Sequence, residues 1–281
     1  MGAYLRPRSL PDALSALAAS RWLVLAGGTD IYPAHVGRPF DEPVLDLSGI
    51  GDLRGIDEHA DHWRIKALTT WSDLIAAPLP PLFDALKQAA REIGGVQIQN
   101  AGTVIGNVCN AAPAADGVPC LLALDAEVAL EAADGGRRLS LDAFITGARK
   151  TACRPGELVS ALILPKPRAP TTLAWFSKLG TRRYLVISIV MIAISLDVDS
   201  DGRITAARIA IGACSPVARR LPELEAALRG RTLNSALADV PHENHLAPLT
   251  PIDDIRADAA YRREAALTLI RRGLADLGGR R

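Results

Sequence analysis

Residues 185–196 read LVISIVMIAISL, the longest apolar run in the chain. It is too short for the roughly 20 residues that a membrane-spanning helix needs. Its many β-branched side chains favour a buried, pleated strand instead. The run opens a strand candidate over Val186–Val198, which DSDGR joins to a second over Ile204–Ala213, with Asp201-Gly202 as the hairpin signal. VARRLPELEAALRG and DAAYRREAALTLIRRGLADLGG follow with apolar residues at helical spacing, and each stops at glycine. Strands covered on one side by helices make this half an α+β sandwich.

PKPRAP, at 165–170, precedes that half. Three prolines so close together can neither continue a helix nor sit in the middle of a sheet, so the domain junction is placed there, giving units of 1–167 and 168–281. The first unit begins with a helix from Ser9, whose capping-box-like start includes Asp12, with Leu10, Ala13, Leu14, Leu17 and Ala18 on one face and its end near Ser20. RWLVLAGGTDIYP reads as a strand broken at Gly27 and Gly28, and PVLDL at 43–47 as another, so residues 1–50 form a small α/β lobe. The larger lobe, 51–167, holds a hairpin over Leu53–Leu68 with DEHAD as its polar break, and a helix PLFDALKQAAREIG stopped by Gly94 and Gly95. A hairpin turning at 133–136 and a closing strand, ELVSALILP, complete it.

With 32 Lys and Arg against 31 Asp and Glu, the net charge of +1 gives no electrostatic reason for a nucleic-acid or membrane partner. Cys109, Cys120, Cys153 and Cys214 form no C-x-x-C pair, so the chain offers no local framework for zinc or an iron–sulfur cluster, and no metal is expected. HENH at 242–245 lacks a third ligand and reads as an irregular loop, while His59 and His62 read as solvated. No G-x-S-x-G or other nucleophile pattern occurs, and no catalytic residue is assigned. MGAYLRPRSL lacks the apolar core of a secretory signal, so a cytoplasmic protein is expected.

Two small-residue segments carry the chemistry. AGGTD at 26–30 sits where a strand would stop, and its consecutive glycines let backbone N–H groups converge on an anion, with Thr29 adding a hydroxyl. It lacks the G-x-G-x-x-G spacing and following helix of a dinucleotide fold. QNAGTVIGNVCNAAPAAD at 99–116 reads as a second loop, in which Gly102 and Gly106 permit close approach and Thr103, Asn107 and Asn110 supply hydrogen bonds. A phosphate-bearing ligand with a polar ring system would use both.

LAGGTD, QNAGTVIGNVCNAAPAADGVPCLLALDA, GELVSALILP, FSKLGTRR and AAYRREAALTLIRR, in this order and at these separations, resemble the FAD-binding medium subunit of the molybdenum hydroxylases. That group includes the flavoproteins of carbon monoxide, xanthine, nicotinate and aldehyde dehydrogenases. The resemblance implies an α+β chain: a two-lobed FAD-binding domain of the vanillyl-alcohol-oxidase (PCMH) type, then a C-terminal α/β sandwich domain of the CO dehydrogenase flavoprotein type. It implies that Ala26, Gly27, Gly28, Thr29, Asp30 and Ile31, with Gly102, Thr103, Gly106 and Asn107, cradle the FAD diphosphate and ribityl chain. Asn110 and Asp116 match flavin-site or adenosine-side positions, Ile93 falls beside the ring, Val159 is a further cofactor position, and Lys178 matches a lysine at the ring's polar edge. Lys178 and Arg182 also have the plain reading of surface cations. The implied role is electron transfer, from [2Fe-2S] clusters on a small partner to an external acceptor, while molybdopterin on a large partner oxidises the substrate. The implied assembly is a dimer of heterotrimers.

Two departures stand out. The family usually reads R-N-x-G-T-I-G-G-N, whereas Gln99 stands here in place of the arginine and Ile105 in place of the first paired glycine. A positive φ at position 105 would strain a β-branched residue by about 1–3 kcal/mol. That strain, together with Gln99, motivates a second reading, a flavin-free assembly or structural subunit of the same kind of complex. A stand-alone flavin oxidase is disfavoured, because only about a hundred residues follow the FAD half, too few for a substrate domain.

Overall fold

In the computed structural model, which describes residues 2–38 and 41–280, the first lobe rests on three short parallel strands. These are β1 (Tyr4–Leu5), β2 (Leu23–Leu25) and β3 (Val44–Asp46), with β3 in the middle. Between β1 and β2 runs α1 (Leu10–Ala19), opened by Ser9, whose hydroxyl accepts the Asp12 N–H at 3.3 Å. It buries Ala13 and Leu17, while Ala18, expected on the same face, is exposed. A single helical turn, α2 (Ile31–Ala34), follows the glycines of AGGTD, where no helix is expected.

The second lobe is a five-stranded antiparallel sheet. Its hairpin of β4 (Ile56–Glu58) and β5 (His62–Lys66) leads through the capping box of Thr70 and Asp73 into α3 (Trp71–Ala76). The helix α4 (Asp84–Glu92) buries Ala85, Leu86, Ala89 and Ala90 and stops before Gly94, which has a φ of +58°. The segment expected to be a loop is instead helical, as α5 (Val96–Ala101) and α6 (Val104–Asn110) meeting at Gly102 and Thr103. Packing decides this against weak helix formers: Val104, Ile105 and Val108 are all buried. Next, α7 (Gly117–Ala123) is buried at every residue, so it shows no polar face and no helical period to read. After it come β6 (Glu127–Ala132), β7 (Gly135–Ser140), the one-turn α8 (Leu141–Phe144), the small hairpin of β8 (Ile145–Gly147) and β9 (Lys150–Thr151), and β10 (Leu158–Pro165). The sheet order is β4-β5-β10-β6-β7.

Across PKPRAP the chain changes sheet. A four-stranded antiparallel sheet follows, of β11 (Thr171–Leu179), β12 (Val190–Val198), β13 (Ile204–Gly212) and β14 (Arg219–Arg220), in that order. The helices α9 (Pro222–Leu228) and α10 (Ala259–Gly278) belong to the same half. All nine residues of β12 are buried, and the two-residue period divides them between two cores. Ile192, Ile194, Leu196 and Val198 pack with Leu224 of α9 and with Ile270 and Leu274 of α10. Met191 and Ala193 pack with the core of the first half, alongside Phe176 and Ala210. The expected one-sided cover is therefore only part of the arrangement, since α4 and α7 close the sheet's other face. Among the described residues, no helix is long and apolar enough to cross a membrane.

Candidate functional site

The two glycine segments touch. Gly28 has a φ of +70°, a left-handed conformation that L side chains rarely adopt. A Cβ on Gly27 would stand 2.0 Å from the Ala101 carbonyl oxygen, so this backbone lies directly on the junction between α5 and α6. On the other side of the contact, a Cβ on Gly102 would meet the Ile98 carbonyl oxygen at 2.9 Å and Thr29 Oγ1 at 3.3 Å. The junction is held from behind: the Trp71 N–H donates to Gly102 O at 3.1 Å and the Val104 N–H to Thr69 O at 3.0 Å. Thr103 Oγ1 accepts the Gly106 N–H at 2.9 Å and so caps α6.

A cleft of about 500 Å³ opens along this contact, within the roughly 300–1,000 Å³ usual for small-molecule sites. Ala26, Gly27, Gly28, Thr29, Asp30 and Ile31 line it from the first lobe, and Gly102, Thr103, Gly106, Asn107 and Asn110 from the second, joined by Ile93 and Val159. Every residue that the resemblance assigns to the cofactor is thus brought into one lining except Asp116 and Lys178. Further lining comes from Trp71, Ile98, Ile105, Thr151, Cys153 and Glu157, among others, which lie in separate segments and carry no local motif.

Asp116 and Lys178 are joined in an ion pair at 2.6 Å, with their side chains only 8% and 7% exposed. Ser188 Oγ donates to the other Asp116 oxygen at 2.5 Å, and Lys178 Nζ also donates to Val186 O at 3.2 Å. Burial pushes the Asp116 carboxyl above its ordinary range, against the opposing pull of Lys178 and Ser188. Lys178 lies instead in a second groove, of about 620 Å³, together with Arg91, Arg182 and Arg183. Arg182 donates through Nε to Leu185 O at 3.0 Å.

The strain expected at Ile105 is absent. It lies in the right-handed helix α6, outside the positive-φ residues, and is 4% exposed where it borders the cleft. Gln99 donates through Nε2 to Arg91 O at 3.2 Å, tying α5 to the end of α4. HENH forms a single 3-10 turn in which the His242 N–H donates to His245 Nδ1 at 3.0 Å. Among the described residues, no group of three or more His, Cys, Asp or Glu side chains is placed to hold a metal ion.

Among the described residues, the lining contains two carboxylates, Asp30 and Glu157, and no lysine or arginine. Glu157 is paired with Arg137 at 2.6 Å, whose hydrogen bond holds its carboxyl below the usual carboxylate range. Asn110 Nδ2 donates to Asp30, and Arg149 Nη1 donates to Asn110 Oδ1. Asn107 Oδ1 is buried beside Gly117 with no partner among the described residues, an arrangement that costs about 1–3 kcal/mol.

Residues 1–167 match the family described as FAD binding domain in molybdopterin dehydrogenase, and residues 175–277 match the CO dehydrogenase flavoprotein C-terminal domain. The chain is 29% identical to a putative xanthine dehydrogenase FAD-binding subunit of Escherichia coli K12, over 97% of this chain and 94% of that one. It is 30% identical to the carbon monoxide dehydrogenase medium chain of Afipia carboxidovorans, over 96% and 94%. Among solved structures, it is similar to a chain of reconstituted CO dehydrogenase from Oligotropha carboxidovorans. That likeness has a TM-score of 0.90 at 28% identity, covering 100% of this chain and 99% of the other.

Proposed function

Because the chain belongs to the FAD-binding subunits of the molybdopterin dehydrogenases, we propose that the cleft between residues 26–31 and 102–110 holds FAD and that the chain carries electrons within a molybdenum hydroxylase complex. The observation that carries this reading is the backbone contact at Gly27, which forces two distant small-residue segments to share one cleft. Main-chain N–H groups at Gly27 and Gly28, free of Cβ cover, suit a diphosphate, while the Gly102 N–H is used within the helix, donating to Ile98 O at 2.7 Å. Ile93, Ile98, Ile105 and Val159 offer apolar surface to a planar ring. When bound, the isoalloxazine supplies the redox chemistry, while the protein supplies binding and tuning.

Lys178 has a narrower part than the resemblance implies. Its ammonium is committed to Asp116 and to Val186 O, which leaves one N–H for any ligand. In this reading the pair fixes the 180–188 segment. The partners are a small chain with [2Fe-2S] clusters and a large molybdopterin chain, in a dimer of heterotrimers in the cytoplasm. The relatives named medium chains and FAD-binding subunits, matched along almost their whole length, support that division of labour. The two units of this chain meet at PKPRAP. Of the two motives for the flavin-free alternative, the right-handed helix at Ile105 removes the strain, and Gln99 serves here to tie α5 to the end of α4.

The test is direct. Purified chain should bind FAD with the visible flavin bands, and FAD at 100 times its Kd should add about 2.7 kcal/mol of stability. A colourless protein whose melting temperature FAD leaves unmoved would refute the assignment.

A further inference from the structure

A diphosphate in this cleft meets a charge problem. It brings negative charge to a lining that already holds Asp30 and Glu157 and, among the described residues, has no lysine or arginine. Backbone N–H groups offset part of this, and a cationic residue at the edge would offset more. Arg137 is engaged with Glu157 through two nitrogens and with Ala152 O.

Arg149 is differently placed. It sits at the turn between β8 and β9, and its backbone N–H donates to Ala111 O at 2.8 Å, which pins the turn to the end of α6. Arg149 and Ala111 have φ values of +58° and +48°, so two residues with side chains are held left-handed against each other at the end of the cleft. The guanidinium reaches Asn110, and Asn110 reaches Asp30 from the opposite lobe. Arg149 uses one side-chain N–H in this relay, and a guanidinium has five. The side chain is exposed, so it contributes nothing to the core.

We propose that Arg149 is a cofactor-binding residue that supplies the positive charge for the FAD diphosphate, closing the cleft where Asp30 and Asn110 meet. The inference rests on the flavin reading above. It assigns the ligand chemistry as an anionic phosphate rather than the flavin ring.

The test compares FAD with riboflavin, which has the ring and no phosphate, by titrating the protein's tryptophan fluorescence. Arg149→Gly suits the left-handed turn without a Cβ, so it removes the cation and keeps the hairpin. It should weaken FAD by about 10- to 100-fold, the scale of one charge-assisted hydrogen bond, and leave riboflavin unchanged. Arg149→Lys should keep most of the FAD affinity, and raised salt should narrow the gap between wild type and Arg149→Gly. Unchanged FAD affinity in Arg149→Gly overturns the proposal. So does equal weakening of FAD and riboflavin, which would mark a structural role. Failure of the wild-type chain to bind either would defeat the flavin reading itself, an outcome distinct from both.

Discussion

Replacing Gly27 with alanine attacks the contact that builds the cleft. The new Cβ would lie 2.0 Å from Ala101 O, 2.7 Å from Ala101 C and 3.0 Å from Gly102 Cα, all of them backbone atoms with no rotamer to escape into. The two segments must separate until the first distance reaches the 3.4 Å at which ordinary contact begins. Overpacking of this kind costs about 1–3 kcal/mol, and for a chain of this size each kcal/mol lowers the melting temperature by roughly 2–4 °C. FAD binding should suffer as well, because the displaced atoms form the cradle, and a loss of about 1.4 kcal/mol is already tenfold in Kd. Gly51→Ala is the matched control: its Cβ meets nothing within 4 Å and its φ is ordinary. It should be neutral or stabilising by about 0.4–1 kcal/mol. Thermal melts and FAD titrations of both variants decide the matter. Gly27→Ala with wild-type melting temperature and wild-type FAD affinity would refute the argument that these glycines exist for backbone contact.

Other expectations follow from particular side chains. Lys178→Met should destabilise by about 3–5 kcal/mol in urea, since Asp116 would be left buried and unpaired, and adding Asp116→Asn should recover part of that loss; simple additivity would count against a coupled pair. Asp254 accepts N–H groups from Arg256 and Arg262, with the Arg256 backbone N–H as the largest cause, which brings its carboxyl from 3.8 down to about 2. Its stabilisation is therefore present above pH 3.8 and lost as pH falls toward about 2. Asp254→Asn should flatten the urea midpoint over that window, and an unchanged pH profile would exclude the assignment. Cys109 and Cys153 line the cleft, whereas Cys120 and Cys214 are buried. FAD should slow maleimide labelling of the first two, with the others reacting only on unfolding, and labelling indifferent to FAD would place the cofactor elsewhere.

Much of this was legible because local chemistry and global fold agree. Ser9 caps its helix, Gly94 ends another at positive φ, and Asp201 and Gly202 fall in the turn between β12 and β13. The cleft was legible for a related reason: glycines must stand where two backbones touch, as at Gly27 and Gly102, or where φ is positive, as at Gly28. What escaped depended on packing at a distance. No periodicity marks α7, because all its faces are covered. Residues 96–110 look like a loop by composition, yet burial of Val104, Ile105 and Val108 turns part of them into helix. The conformation of Ile105 cannot be read from its identity, and the partner of Lys178 lies 62 positions away. Thr151, Cys153 and Glu157 reach the cleft only because a small hairpin and the turn after it fold back toward α6.

The strand β12 gives alternate side chains to two interiors, so neither half owns a complete boundary with water. A fragment ending at the proline-rich link would bare the apolar sides of α4 and α7, and the complementary fragment would bare Met191 and Ala193. Two modules recognisable as separate families are thereby obliged to melt together, and severing them would yield sticky pieces rather than working parts.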